Sequence, residues 1–460
     1  MSVRNIEDVY PLSPLQEGLL FHSLYGPEEG IYVAQLSCRT RDVDVSAIQR
    51  AWQKIIDRYP PFRTAFIWKN VEKPLQVVQR NVTLPFRVED WRGLSSSERQ
   101  ERLDAYLAAD RQRGFQLNKA PLLRLALFRL DDNYHQLVLS NHHIIVDGWS
   151  LALVFKEAFA LYEAYCEGRE PQLASSRPYR EYIAWLSRQD LQEAEEFWRR
   201  MLEDFSVPTS ILREEVGSLP RREVGYSEQQ LELSAETTAG LLSLGRLHHL
   251  TMNTIVLGAW AMLLSRHSGQ RDVLFGVVMS GRPPDLAGVE SMVGLFVNTL
   301  PMRIAIRAGD LLSSWLEDIQ TQQLEIQKYE YSPLANVQQW SDLPRGEALF
   351  ESLFTFENFP ATPNVRLRDV EVSIDTSFEK TSYPLTVMVG PGTQLIVRLL
   401  YDDLRIDHST VKLLLSHFQS LLENMAAGFD RPLSEVEILA PVESELLLDH
   451  FNADLEEASI

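Results

Sequence analysis

The chain has 460 residues, 45% of them hydrophobic and 23% charged, which is ample for a real core, ordinary for a globular protein and long enough for two to three lobes. A formal net charge of -20, with no Lys/Arg cluster to interrupt it, argues against nucleic acid and anionic membranes as partners. Cys38 and Cys166 form no disulfide framework, the opening residues lack an apolar signal core and no apolar run reaches membrane-spanning length. The expectation is a cytoplasmic protein of mixed α and β structure.

Ser13-Pro14-Leu15-Gln16 reads as a helix start, with Ser13 as the cap, Pro14 at the first helical position and Gln16 reaching back. Leu19, Leu20, His22 and Leu24 continue that helix to Gly26-Pro27. Ile31 to Leu36 reads as a strand, and residues 46–58 as a helix with Ile48, Trp52, Ile55 and Ile56 on one face. Pro60-Pro61 breaks it, and Phe62 to Phe66 enters a strand. Arg63, buried there, requires an anionic partner and is read as structural. Two apolar runs, Pro121 to Leu130 and Tyr134 to Asn141, joined by Asp131-Asp132-Asn133, predict a hairpin.

That hairpin leads into Asn141-His142-His143-Ile144-Ile145-Val146-Asp147-Gly148-Trp149-Ser150. Leu151, Leu153, Val154 and Phe155 then follow a helical rhythm to about Tyr165. The histidines therefore stand near a strand end, before an Asp-Gly turn into a helix, a position where rigid elements hold functional groups. Adjacent residues on an extended backbone face opposite ways, so one imidazole is expected in a cleft and the other in the interior. The pair cannot readily share a metal, and no H-x-x-x-H or C-x-x-C spacing lies nearby. An imidazole near neutral pH suits acyl-transfer chemistry. On pattern alone, two satisfied structural histidines beside an ordinary turn explain the stretch as well. His248-His249, which lacks the Asp-Gly turn and sits in a helix-like segment, is read as structural.

Arg177-Pro178 marks a lobe boundary, and a helix is expected near Glu193 to Phe205. Pro208 to Gly225 is the expected flexible segment. Residues 251–265 read as a buried apolar helix and Val273 to Met279 as a buried strand. A helix from Asp310 to about Gln327 follows, then strands at Phe354 to Phe359, Val370 to Ile374, Leu385 to Val389 and Leu395 to Tyr401. Residues 409–425 form a closing helix, and 451–460 read as the start of a linker to a following domain.

The H-H-x-x-x-D-G stretch resembles the signature of nonribosomal peptide synthetase condensation domains, within the chloramphenicol-acetyltransferase-like superfamily. Further motifs fall in that family's order. They are S-P-L-Q-E-G-L-L-F-H from Ser13, R-Y-P-P-F-R-T-A-F from Arg58, Tyr179 to Trp185, and Val293 to Arg303. In the second of these, Tyr59 and Phe62 stand where the family usually has histidine and leucine. Looser matches occur at Tyr331 to Ala335 and Arg345 to Phe350. The resemblance implies an α/β fold of two acyltransferase-like lobes in a V, here 1–177 and 178–450, with the active site between them. It further implies donor and acceptor peptidyl carrier proteins, each presenting a thioester on a 4'-phosphopantetheine arm, and an adjacent adenylation domain. No cofactor and no metal is expected in the domain itself, which is expected to be monomeric when isolated.

Carried over by position, His143 is the active residue, acting either as a base or by holding the amine in line. The group of catalytic candidates also takes in His142, Asp147 and Gly148. Of these, His142 is read as the interior histidine, Asp147 as the ion-pair partner of Arg282, and the Gly148 N–H as an oxyanion donor. Trp149, Ser150 and Asn298 are expected to touch substrate. G-L-L-F-H, I-V-D-G-W-S and G-R-P-P-D-L-A-G-V-E-S-M-V-G-L-F together resemble the subtype that takes a D-configured donor, which implies an upstream epimerization domain. The alternatives are an epimerization domain, whose glutamate-bearing E-G-H-G-R motif is absent, a non-catalytic recruitment domain, and a free-standing acyltransferase.

Overall fold

The Asp131-Asp132-Asn133 turn folds as its residue types require. The Asp131 carboxylate accepts the Asn133 and Tyr134 amides at 2.8 and 2.7 Å, an Asx turn that brings strand Leu123–Arg129 back against Tyr134–His142. Their antiparallel register runs from Leu123 opposite Asn141 to Arg129 opposite His135. A computed structural model describes residues 3–25, 30–210, 225–344, 347–358, 365–367, 370–378 and 380–439. Of the expected features, the helix stop at 26–27, most of the Pro208 to Gly225 segment, the first residues of the Arg345 to Phe350 motif and the 451–460 linker lie outside these residues.

Packing divides the chain into two units. The first takes in Met1–Leu191, Ser280–Asn298 and Phe359–Ser382. Its larger sheet has six strands, with Tyr134–His142 between Val33–Arg41 and Leu123–Arg129. Phe86–Asp90 adds in parallel at one edge, and Val370–Phe378 adds antiparallel to Val33–Arg41 on the other side. Alternation along these strands separates two faces. Leu36, Leu125, Leu127, Leu137 and Leu139 pack with Trp52 of helix Val45–Arg58 and with Phe155 and Phe159 of helix Gly148–Cys166. On the opposite face, Ala126, Phe128 and Val138 pack with Leu107 of helix Ser96–Arg113. A smaller sheet joins Ile6–Pro11, Leu75–Gln79 and Thr64–Ile67. Arg63, buried just before it, donates to Glu7 at 2.6 Å and to the Ile56 carbonyl at 3.1 Å, which supplies the anion its burial requires.

The second unit takes in Gln192–Met279, Thr299–Asn358 and Tyr383–Ile460. Its six-stranded sheet is mixed. Ser352–Phe356 pairs in parallel with both Asp272–Met279 and Leu385–Gly390, while Ile396–Asp402 and Tyr226–Glu232 add antiparallel. Helix Met252–Ser268 is buried along most of its length, as its near-continuous apolar sequence predicts. His248 caps the end of helix Ala235–Leu247, and His249 takes a left-handed φ of 56°. That pair therefore forms a helix terminus and does not lie within a helix.

The expected cut at residue 177 differs from these units. Tyr179 and Tyr182, placed in the second lobe by that cut, pack on Phe296 within the first unit, and the Tyr182 hydroxyl donates to the Phe296 carbonyl at 3.2 Å. Aromatic burial on the 280–298 segment outweighs adjacency in sequence there.

Candidate active site

Strand Tyr134–His142 ends on the first histidine, and His143 begins a 3-10 turn, His143–Ile145. The chain leaves the strand between the two histidines, so only His142 sits on extended backbone. His142 is 3% exposed. Its Nδ1 accepts the Ile144 amide at 3.2 Å, and its Nε2 lies 3.2 Å from Ser23 Oγ. The Ser23 hydroxyl itself donates to the Leu19 carbonyl at 2.7 Å, so Nε2 carries the proton and donates to Ser23. Burial, and then the charge of His143, holds the His142 pKa down to about 3. His142 is thus a neutral imidazole with both nitrogens engaged, and it cannot exchange protons at neutral pH.

His143 is half-buried. Its amide donates to the Tyr32 carbonyl at 2.9 Å, and its own carbonyl accepts the Val146 amide at 3.2 Å, closing the turn. Tyr32 makes that bond from a left-handed φ of 61°, and its amide and hydroxyl reach the Lys380 carbonyl and Ser382 Oγ at 3.1 and 2.9 Å.

Asp147 caps the helix that follows, its Oδ1 accepting the Ser150 amide at 2.8 Å. The same carboxylate takes the Phe296 amide on Oδ2 at 2.9 Å, and Arg282 Nη2 lies 3.3 Å from Oδ1. Arg282 also donates to the carbonyls of Val289 and Met292 at 2.6 and 3.2 Å, and its guanidinium stacks 4.0 Å from the Phe296 ring centre. One buried carboxylate therefore ties the helix start to the 282–296 segment, and each of its oxygens is used for structure. Gly148, the first helical residue, is half-buried. First-turn amides have no partner within a helix and carry the positive end of its dipole.

Ser150, expected at the substrate, is fully buried. Its hydroxyl donates to the Gly294 carbonyl at 2.9 Å and accepts from the Gly294 amide at 3.1 Å and from Arg282 at 2.9 Å. One donor and two lone pairs are all a hydroxyl has, so Ser150 has no capacity left for substrate and is a brace. The Trp149 indole is directed to the Glu290 carbonyl at 3.1 Å, with the Arg282 guanidinium over its ring. Asn298 is 5% exposed at the start of strand Asn298–Ala305. The structure thus brings His143, Gly148 and Trp149 to the half-buried rim of the turn and places His142, Asp147, Ser150 and Arg282 beneath it.

Sequence reasoning missed one participant. Gln16, read only as a helix cap, does cap, but its side-chain nitrogen also donates to the Ile144 carbonyl at 2.8 Å. The S-x-x-Q pattern signals the cap, and nothing local signals the second bond, whose acceptor lies 128 positions away.

The Condensation domain family model matches residues 6–448. Linear gramicidin synthase subunits C and D of Brevibacillus parabrevis are 44% and 42% identical over 98% of this chain, which spans 6% and 9% of their lengths. Surfactin synthase subunit 3 of Bacillus subtilis (strain 168) is 32% identical over 97% of the chain and 35% of its own length. The chain therefore corresponds to a small part of the curated relatives it matches. Among solved structures, the first condensation domain of the calcium-dependent antibiotic synthetase, in complex with a substrate analogue, superposes with a TM-score of 0.78 at 20% identity, covering 94% of this chain and all of that one. The X-domain from teicoplanin biosynthesis has a TM-score of 0.78 at 22% identity, covering 93% of this chain and 97% of that one. These structures establish the chloramphenicol-acetyltransferase-like fold. With the H-H-x-x-x-D-G motif on one turn and the family match running over nearly its whole length, the chain belongs to the Condensation domain family of nonribosomal peptide synthetases, which form amide bonds between carrier-bound substrates.

Proposed function

We propose that this chain joins a peptidyl or aminoacyl group, held as a thioester on a donor carrier protein, to the amine of an aminoacyl thioester on an acceptor carrier protein. The observation that carries this reading is the division of labour in the histidine pair. His142 is buried, neutral and fully engaged, whereas His143 stands half-buried at the start of a turn. The acceptor amine attacks the donor carbonyl, and a tetrahedral intermediate forms. Its collapse breaks the carbon–sulfur bond, releases the donor thiol and leaves the amide on the acceptor. The nitrogen must lose one proton on the way, and the thiolate must gain one. An α-amino group has a pKa near ~8, so deprotonation needs modest help. His143 accepts a hydrogen bond from the amine, aligns it, and takes the proton for return to sulfur. The Gly148 amide, at the positive end of its helix, faces the developing oxyanion. Trp149 and Asn298 contact substrate. The chain supplies these groups without a cofactor of its own, the substrates arriving on phosphopantetheine arms.

The donor is D-configured on this reading, and an epimerization domain works upstream of it, with an adenylation domain adjacent. Support comes from the G-L-L-F-H, I-V-D-G-W-S and G-R-P-P-D-L-A-G-V-E-S-M-V-G-L-F stretches. The domain acts in the cytoplasm and is monomeric when isolated. To test it, the donor carrier is loaded with D- or L-configured peptidyl groups and the acceptor with an amino acid, and the acceptor is then weighed by mass spectrometry. Extended acceptor from the D-donor alone is the expected result. Extension from both donors removes the stereochemical assignment, epimerised donor without transfer favours an epimerization domain, and no change favours a non-catalytic one.

A further inference from the structure

The Gln16 amide is 1% exposed, and its orientation is fixed by chemistry alone. Its Oε1 takes the Ser13 amide at 2.9 Å, a group that can only donate. Its Nε2 must then be the atom 2.8 Å from the Ile144 carbonyl, a group that can only accept. Gln76, 2% exposed, completes the set: its Nε2 donates to Gln16 Oε1 at 2.8 Å and to the Pro11 carbonyl at 2.9 Å, while its Oε1 accepts from Gln16 Nε2 at 3.1 Å. Two buried primary amides in an apolar setting cost desolvation that an apolar pair of the same shape avoids. What they hold in exchange are the Ser13 amide and the Pro11 carbonyl at the start of the first helix and, across 128 positions, the Ile144 carbonyl in the His143–Ile145 turn.

We propose that Gln16 is a positioning residue for His143, acting through the Ile144 carbonyl. The His143 amide is held by the Tyr32 carbonyl on one side, and Gln16 holds the next residue on the other. With both sides pinned, the imidazole keeps only its side-chain torsions, and the turn cannot swing it out of line. The inference rests on the reading of His143 as the active residue, and its test separates the two.

The experiment uses the whole chain with loaded donor and acceptor carriers. Gln16→Met keeps the length of the side chain and removes both the donor and the acceptor. The expected result is a folded protein by circular dichroism, with kcat lower by about 10- to 100-fold and KM for each carrier changed by less than about twofold. In a His143→Ala background the same change should lower the residual rate no further, because the group it positions is gone. An unchanged kcat in folded Gln16→Met, or an equal loss in both backgrounds, overturns the proposal. Full activity in His143→Ala alone overturns the reading of His143 instead. Gln16→Glu provides a second route if the methionine variant does not fold. Its protonated carboxyl can donate to the Ile144 carbonyl and its ionised form cannot, so its rate should fall with rising pH where the parent holds steady. A pH profile matching the parent's overturns the proposal independently.

Discussion

At the scale of single residues, three side chains within six positions do different work because their surroundings differ. His143→Ala should leave the melting temperature nearly unchanged and cut transfer to a small residual rate, measured as extended acceptor; a variant at full rate sinks its assignment. Asp147→Ala should instead unfold the protein readily. It removes a helix cap and leaves the Arg282 guanidinium, 8% exposed as a side chain, without its anion. The expected loss is about 3–5 kcal/mol in urea denaturation, and a loss below about 1 kcal/mol would contradict the buried pairing. His142 is a third case. Its folded pKa of about 3 lies below that of an unfolded histidine, so below about pH 6.5 the unfolded chain binds the extra proton. This histidine therefore withdraws stability as pH falls, by up to about 1.4 kcal/mol per pH unit. A His142→Gln variant should show a shallower loss of stability between pH 6.5 and pH 4, at whatever stability it starts from.

At the scale of elements, the motif helix and the 280–298 segment depend on each other. Gly281 illustrates this, since its φ is +62° and an added Cβ would lie 1.7 Å from the Phe296 carbonyl oxygen. Gly281→Ala should cost about 3 kcal/mol or more, because both the backbone conformation and the contact forbid the methyl. Thermal melts would show it, and a shift of under about 2 °C would refute it. Elements with strong periodicity were legible in advance: the 45–58 and 252–268 helices and the 123–142 hairpin fall within a few residues of their predicted ends. Helix Ser96–Arg113 escaped that reading, because its sequence is polar over most of its length and it buries little beyond Leu107 and Asp110. Its capping box, Ser95 with Glu98, was the available signal.

At the scale of the whole molecule, titration has a consistent direction at four histidines. Desolvation holds the buried His135, the partly buried His267 and the more exposed His22 below the ordinary histidine value, in company with His142, and His417 adds to the effect on His267. Each binds a proton more readily when unfolded, so each reduces stability as pH falls through the unfolded histidine range. Asp110 is held low by Arg124 against the cost of its burial, and its contribution is lost in the same direction at lower pH. Glu17 and Glu228, exposed but partly desolvated by their neighbours, are raised and act the opposite way. The denaturation midpoint should drop between pH 7 and pH 5, and a rise would mean that relief of the -20 charge outweighs the histidines. Packing at this scale also grouped the chain in a way its order does not suggest. Segments 280–298 and 359–382 belong with the first unit, because Asp147 and strand Val33–Arg41 recruit them.

The chain's own residues were sufficient to establish the family, the alternation of strands and helices, and the turn on which the histidines lie. Each of those is written in local order: periodicity, caps, and a motif of fixed spacing. Only the folded molecule decided that Ser150 is a brace, that Gln16 holds the Ile144 carbonyl, and that Ser23 and Ile144 are the groups that engage His142. The reason is physical. A polar side chain's role depends on whether its few donors and acceptors are already matched, and the matching groups come from segments more than 100 residues away.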